Sequence, residues 1–140
     1  RPWQHVLEPL SGYLALAFAL SNNSDLNGEA FNFGPPVLQM QTVAELVDKI
    51  ISYWQGSEWI DNSKDNDSPH EAGMLKLNCD KALHSLCWKP TLNFNETAQW
   101  TAEWYRSYYE NGPVKTMRIT AKQIEDYSSL AKKRDSFKLG

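Results

Sequence analysis

The chain has 140 residues, with 41% hydrophobic and 22% charged residues and a formal net charge of −3, a composition that fits one globular domain or a piece of one. No basic run or stripe is present, which argues against nucleic-acid binding. The longest apolar segment, Tyr13 to Leu20, is too short to cross a membrane.

The chain opens on Arg1 instead of Met, and Arg1-Pro2-Trp3 runs straight into an apolar pattern, as expected of an internal cut in a longer protein. Trp3 to Val6 reads as a short extended segment. Pro9 suits the first turn of a helix, where its missing N–H costs nothing, and Leu10, Leu14, Ala17 and Phe18 follow at helical spacing. A polar stretch from Asn22 to Gly28 ends that helix. Ala30 to Phe33 is a strand candidate closed by Gly34-Pro35-Pro36. Thr42 and Glu45 form a capping box, and Val43, Leu46, Val47, Ile50, Ile51 and Trp54 make the clearest amphipathic stripe in the chain.

Glu58-Trp59-Ile60 is a candidate edge strand, followed by a polar acidic loop from Asp61 to Ser68. Met74 to Leu77 alternates as a short strand. Leu83, Leu86 and Cys87 give a short helix that ends before Pro90. Asn93 with Glu96 caps another helix, stopped by Asn111-Gly112-Pro113. Thr120 and Gln123 read as the cap of a last helix carrying Ile124, Tyr127, Leu130 and Ala131. The charged stretch from Lys132 to Gly140 reads as a flexible tail. Residues 1–131 then form the folded region and 132–140 the tail. Cys79 and Cys87 flank a helix and sit about 12 Å apart at ~1.5 Å per residue, too far for a disulfide, so they read as reduced thiols.

No complete catalytic constellation is present. The seven glycines are scattered and form no phosphate loop. No Tyr precedes a Lys by four, no Ser sits in a nucleophile elbow, and His5, His70 and His84 lack metal-ligand spacing. No catalytic, cofactor-binding or metal-binding residue is therefore assigned. The segment best suited to binding is Ser68-Pro69-His70-Glu71-Ala72, since a carboxylate can accept from a ribose diol and a neutral imidazole can donate and accept. The plain alternative is a solvated loop. Arg1 is the second candidate, its guanidinium fork suiting a diphosphate; the alternative is an exposed arginine. The six Trp, six Tyr and five Phe serve packing or stack on a sugar or base.

The segment from Arg1 to Leu14 resembles one found in extended short-chain dehydrogenases that act on nucleotide sugars, and above all the CDP-glucose 4,6-dehydratases among them. The likeness continues through Phe31 to Pro35 before Thr42 to Val47, His70-Glu71-Ala72, Leu75 to Ala82, Leu86 to Pro90, and Thr101 to Arg106. It covers about Arg1 to Asn111. It implies an α/β fold: the C-terminal substrate-binding part of an extended short-chain dehydrogenase of Rossmann type, mostly helical with a few short strands. Two of those strands would be parallel and complete a larger sheet. It implies that Arg1 contacts the substrate diphosphate, that His70 and Glu71 lie near the nucleotide ribose and base, and that Gln41 places a polar side chain on the nucleotide. Where such proteins have Leu-Asp before Lys-Ala, this chain has Asn78-Cys79-Asp80, read as variation in a helix cap.

The whole enzyme implied by the resemblance would bind NAD through a part absent from this chain. It would convert CDP-glucose to CDP-4-keto-6-deoxyglucose, a precursor of surface-polysaccharide dideoxyhexoses. It would be cytoplasmic and homo-oligomeric, with no nucleic-acid or membrane partner, and the fragment alone would be inactive. The alternatives are another NAD-dependent epimerase, dehydratase or decarboxylase on a nucleotide sugar, or a non-catalytic carbohydrate-binding module. As a piece of a larger enzyme, the chain should expose apolar surface and self-associate.

Overall fold

The computed structural model describes residues 1–60 and 76–136. Every regular element among them is helical: α1 (Leu7–Asn22), a 3₁₀ turn (Ser24–Leu26), α2 (Val43–Tyr53), α3 (Asp80–Leu86), α4 (Phe94–Asn111) and α5 (Pro113–Lys133). None of these helices is long and apolar enough to cross a membrane.

The expected α/β architecture is thereby corrected, because no strand occurs among the described residues. A strand requires a backbone ladder, and the candidate segments are held by side chains instead. Gln4 Nε2 donates to the Phe33 carbonyl at 3.1 Å, and Asn32 Nδ2 to the Asn78 carbonyl at 3.2 Å. Residues 31–34 do run beside 77–79, so close that a Cβ on Gly34 would come within 2.9 Å of Leu77 Cδ1. No backbone bond joins the two segments. Glu58-Trp59-Ile60 likewise makes no ladder; Trp59 Nε1 donates to Asp48. Met74 and Leu75, the start of the third candidate, lie outside the described residues.

Helix α1 packs in an unexpected sense. Its buried positions are Glu8, Ser11, Gly12 and Ala15, a helical stripe of small and polar residues. The large apolar side chains Leu10, Tyr13, Leu14 and Phe18 face outward, Leu14 at 68% exposure. Gly12 is needed for this approach, since a Cβ there would lie 2.3 Å from the Phe33 ring. Phe33 in turn meets Trp88 edge to face at 5.0 Å. Ala15, Phe33, Ala82, Leu86 and Trp88 form one core cluster.

Both capping boxes form as the sequence suggests, Thr42 with Glu45 on α2 and Asn93 with Glu96 on α4. At the start of α3 the N-cap Cys79 makes no side-chain cap bond, and Asn78 Oδ1, one residue earlier, accepts from the Asp80 N–H at 2.9 Å. The helix closes at Cys87, whose φ of 51° lets the Trp88 N–H return to the Ala82 carbonyl. Cys79 and Cys87 are both free thiols.

Helix α5 begins earlier than Thr120 and Gln123 imply. Gly112, at φ 77°, turns the chain and Pro113 takes the first helical position. Thr120 and Gln123 instead bind α4: Trp104 Nε1 donates to Thr120 Oγ1 at 2.8 Å and Gln123 Nε2 to the Trp100 carbonyl at 2.9 Å. A second core cluster of Leu92, Tyr127 and Ala131 lies beneath this helical hairpin. Lys132 and Lys133, read from sequence as tail, belong to α5. Ser136 beyond it is buried, its carbonyl accepting from the Lys89 N–H.

Candidate functional site

Of the four residues proposed from sequence to meet substrate, Arg1 and Gln41 lie among the described residues, and the fold brings them together. The Arg1 amino nitrogen donates to the Gln41 carbonyl at 2.8 Å, and Trp3 Nε1 donates to the same oxygen at 3.0 Å. One carbonyl thus anchors the first three residues at the entry to α2. His70 and Glu71 lie outside the described residues.

Gln41 also lines an open cavity of about 620 Å³. Gln39, Glu45 of α2 and Asn93 to Asn95 at the start of α4 line it as well. Two helix N-termini therefore border one cavity. Each already has an acceptor: Glu45 receives the Thr42 backbone N–H, then its hydroxyl, and these bonds hold its carboxyl below the usual range. The Glu96 carboxyl is held low chiefly by Arg134, which grips it with two bonds of 2.7 and 2.8 Å.

The cavity wall has polar atoms to spare. Gln39 Nε2 and Gln41 Oε1 are buried with no hydrogen-bond partner. Such orphans are costly in a folded protein unless a ligand or water meets them. An unmet donor and an unmet acceptor on two residues of one cavity wall suit a polar ligand. Gln39 was not apparent as a candidate from sequence. Its signal was its place two residues before Gln41, between Pro36 and the α2 cap.

Sequence reasoning also missed a buried carboxylate. Glu8 accepts from the Thr91 N–H at 3.0 Å, the Leu92 N–H at 2.6 Å and the Tyr127 hydroxyl at 2.8 Å. The Ser11 hydroxyl lies 2.9 Å from that of Tyr127 and accepts from Trp88 Nε1 at 2.9 Å. Burial raises the Glu8 carboxyl above its usual range, while the Leu92, Thr91 and Tyr127 bonds pull it back. Burial and the nearby Glu8 charge raise the Tyr127 phenol. With its lone pairs engaged and almost no exposure, Glu8 is a structural clasp and not a general base.

Neither a metal nor a dinucleotide finds a built site among the described residues. No group of His, Cys, Asp and Glu there could hold a metal ion. Gly12 and Gly34 pack against side chains, while Gly28, Gly56 and Gly112 are isolated turns at positive φ. A dinucleotide needs consecutive backbone N–H groups at a glycine-rich turn, and these residues do not fit one.

No family model matches the chain. It is 38% identical over 130 residues, 92% of its length, to a CDP-glucose 4,6-dehydratase of Salmonella typhimurium. It is 30% identical over 89 residues, 60% of its length, to the dTDP-D-glucose 4,6-dehydratase of Mus musculus. The matches span 35% and 24% of those longer proteins, so the chain covers about a third of the first and a quarter of the second. The likeness seen in the motifs thus extends over most of the chain.

Proposed function

We propose, taking as premise that this chain is a relative of the nucleotide-sugar 4,6-dehydratases, that it forms the substrate-binding part of a CDP-glucose 4,6-dehydratase. The observation that supports this best is that Gln41, singled out beforehand for nucleotide contact, lines an open cavity while its backbone carbonyl holds the amino nitrogen of Arg1. Arg1 would pair with the diphosphate, Gln41 would meet the nucleoside, and His70 and Glu71 would lie near ribose and base. NAD would be held by residues outside this chain. When bound there, it would supply hydride abstraction at C4 and return at C6, with water lost across C5 and C6 in between, so that CDP-glucose would leave as CDP-4-keto-6-deoxyglucose. The part of the protein described here binds and orients; it carries no reacting group of its own.

The test is to express the complete coding frame that contains this sequence and assay it with CDP-, UDP- and dTDP-glucose. CDP-glucose should be turned over with the highest kcat/KM. Arg1→Met should raise KM by about tenfold or more with kcat little changed, as expected for loss of a diphosphate contact made equally in ground and transition states. A frame that turns over none of the three sugars, or prefers UDP- or dTDP-glucose, overturns the assignment.

A further inference from the structure

A second cavity, of about 410 Å³, lies between the first residues of the chain and helices α4 and α5. Its walls include Gln4, His5, Leu7, Trp104, Tyr105 and Ile124. It shares no lining residue with the cavity at Gln41, and nothing in the proposed function uses it.

The chemistry of its wall is specific in three respects. First, no Lys, Arg, Asp or Glu lines it, so it offers nothing to a phosphate, carboxylate or ammonium. Second, of its polar side chains Thr120 and Gln123 are engaged with α4 and Thr101 adds a hydroxyl, while two more come from consecutive residues. His5 Nδ1 accepts the Leu7 N–H at 3.3 Å, which places the hydrogen of the neutral ring on Nε2. Gln4 spends its Nε2 on the Phe33 carbonyl, and its Oε1 is buried without a partner. Neighbouring residues thus supply a donor and an acceptor. Third, Trp104 and Tyr105 meet at 5.1 Å and 82°. Two rings at right angles make a corner, which receives a puckered ring better than the parallel-walled slot a flat heterocycle prefers.

The geometry points to a binding site for an uncharged pyranose ring, its C–H face against Trp104 and Tyr105 and one hydroxyl shared by His5 and Gln4. A hydroxyl is the group that can accept from the imidazole N–H and donate to the carboxamide oxygen at once. Apolar walls with a few convergent polar groups are the usual form of such sites. The ring could arrive as a free glycoside or as the end of a longer glycan.

The test uses the 140-residue chain with methyl α-D-glucopyranoside, the corresponding mannoside and galactoside, and a linear glucose trisaccharide, followed by two-dimensional NMR. At least one glycoside should bind saturably at millimolar concentration and shift the His5 and Trp104 side-chain signals. Monosaccharide and trisaccharide of equal affinity identify a terminal-ring site, and a tighter trisaccharide identifies a glycan site; either supports the proposal. His5→Phe and Gln4→Leu should each weaken binding by about tenfold, the loss expected for one well-placed hydrogen bond. No saturable shift with any sugar, shifts confined to residues elsewhere, or tighter binding of flat benzamide than of every glycoside overturns it. The shift map on the unaltered chain decides the matter even if a variant fails to fold.

Discussion

The Tyr127 hydroxyl donates to a carboxylate oxygen of Glu8 at 2.8 Å, joining α1 to α5 across 119 residues of sequence. The same carboxylate takes the Thr91 and Leu92 N–H groups, so three parts of the chain meet on one side chain. Trp88 joins through Ser11, which links this clasp to the other core cluster.

Glu8→Ala should therefore unfold the chain more easily than any single surface change. It leaves two backbone donors buried without an acceptor and the phenol with Ser11 alone, and each such orphan costs roughly 1–3 kcal/mol. A net loss of about 3 kcal/mol is expected by urea unfolding. Tyr127→Phe removes one donor and leaves the carboxylate its two N–H partners, so about 1 kcal/mol is expected. A Glu8→Ala variant within about 0.5 kcal/mol of the parent, the range of ordinary surface changes, would show that the clasp stabilises nothing.

Gly12→Ala tests the close passage of α1 over Phe33. The new Cβ would stand 2.3 Å from the ring, and Phe33 is itself wedged against Trp88. Overpacking of this kind costs typically about 1–3 kcal/mol, read as a fall in Tm. Combining it with Phe33→Leu should recover part of the loss, because the smaller side chain vacates the contested space. A double variant as unstable as the sum of the singles would place the strain elsewhere.

His5 gives the chain a pH dependence of definite sign. Burial lowers its pKa from 6.5 to about 4. Between those values the unfolded chain binds a proton that the folded one refuses, so stability is full above pH 6.5, falls as the pH drops toward 4, and levels below it. Protonation would also cost the bond from the Leu7 N–H to Nδ1. Glu8 works the other way, because its raised pKa makes the folded form bind the extra proton. The comparison must therefore be made against His5→Phe, which should flatten the His5 component alone. Parallel stability curves for parent and variant between pH 7 and 4.5 would rule His5 out.

What the sequence revealed and what it hid divide along a physical line. Thr42 with Glu45 and Asn93 with Glu96 were legible because a capping box is made within four residues. The start of α5 was misplaced because Thr120 and Gln123 look like a local cap, whereas their side chains are committed to α4. The segment at Ala30 to Phe33 has a strand's composition, but composition cannot supply a ladder partner, and its neighbour at 77–79 is reached through side chains. The resemblance offered Arg1 and Gln41 as expected nucleotide contacts, while nothing in the sequence marked Glu8 as the centre of a buried bond network. Nothing in a first-turn glutamate foretells a partner at Tyr127, since that pairing exists only once α1 and α5 are packed.

The outward face of α1 leads to the last prediction. A helix ordinarily turns its large apolar side chains toward a core; here Leu10, Tyr13, Leu14 and Phe18 all point outward, and Val6 extends the patch. The helix carries one charged residue, Glu8, and that one is buried, so no like-charge repulsion keeps two such faces apart. Apolar patches of several hundred Å² are seldom left bare by monomers. The 140-residue chain should therefore self-associate at micromolar concentration in sedimentation velocity. Leu14→Lys with Phe18→Glu should return it to monomer without loss of helix content, since neither position is buried. A parent chain that sediments as a sharp monomer would mean that burial of this face contributes too little to hold two copies together.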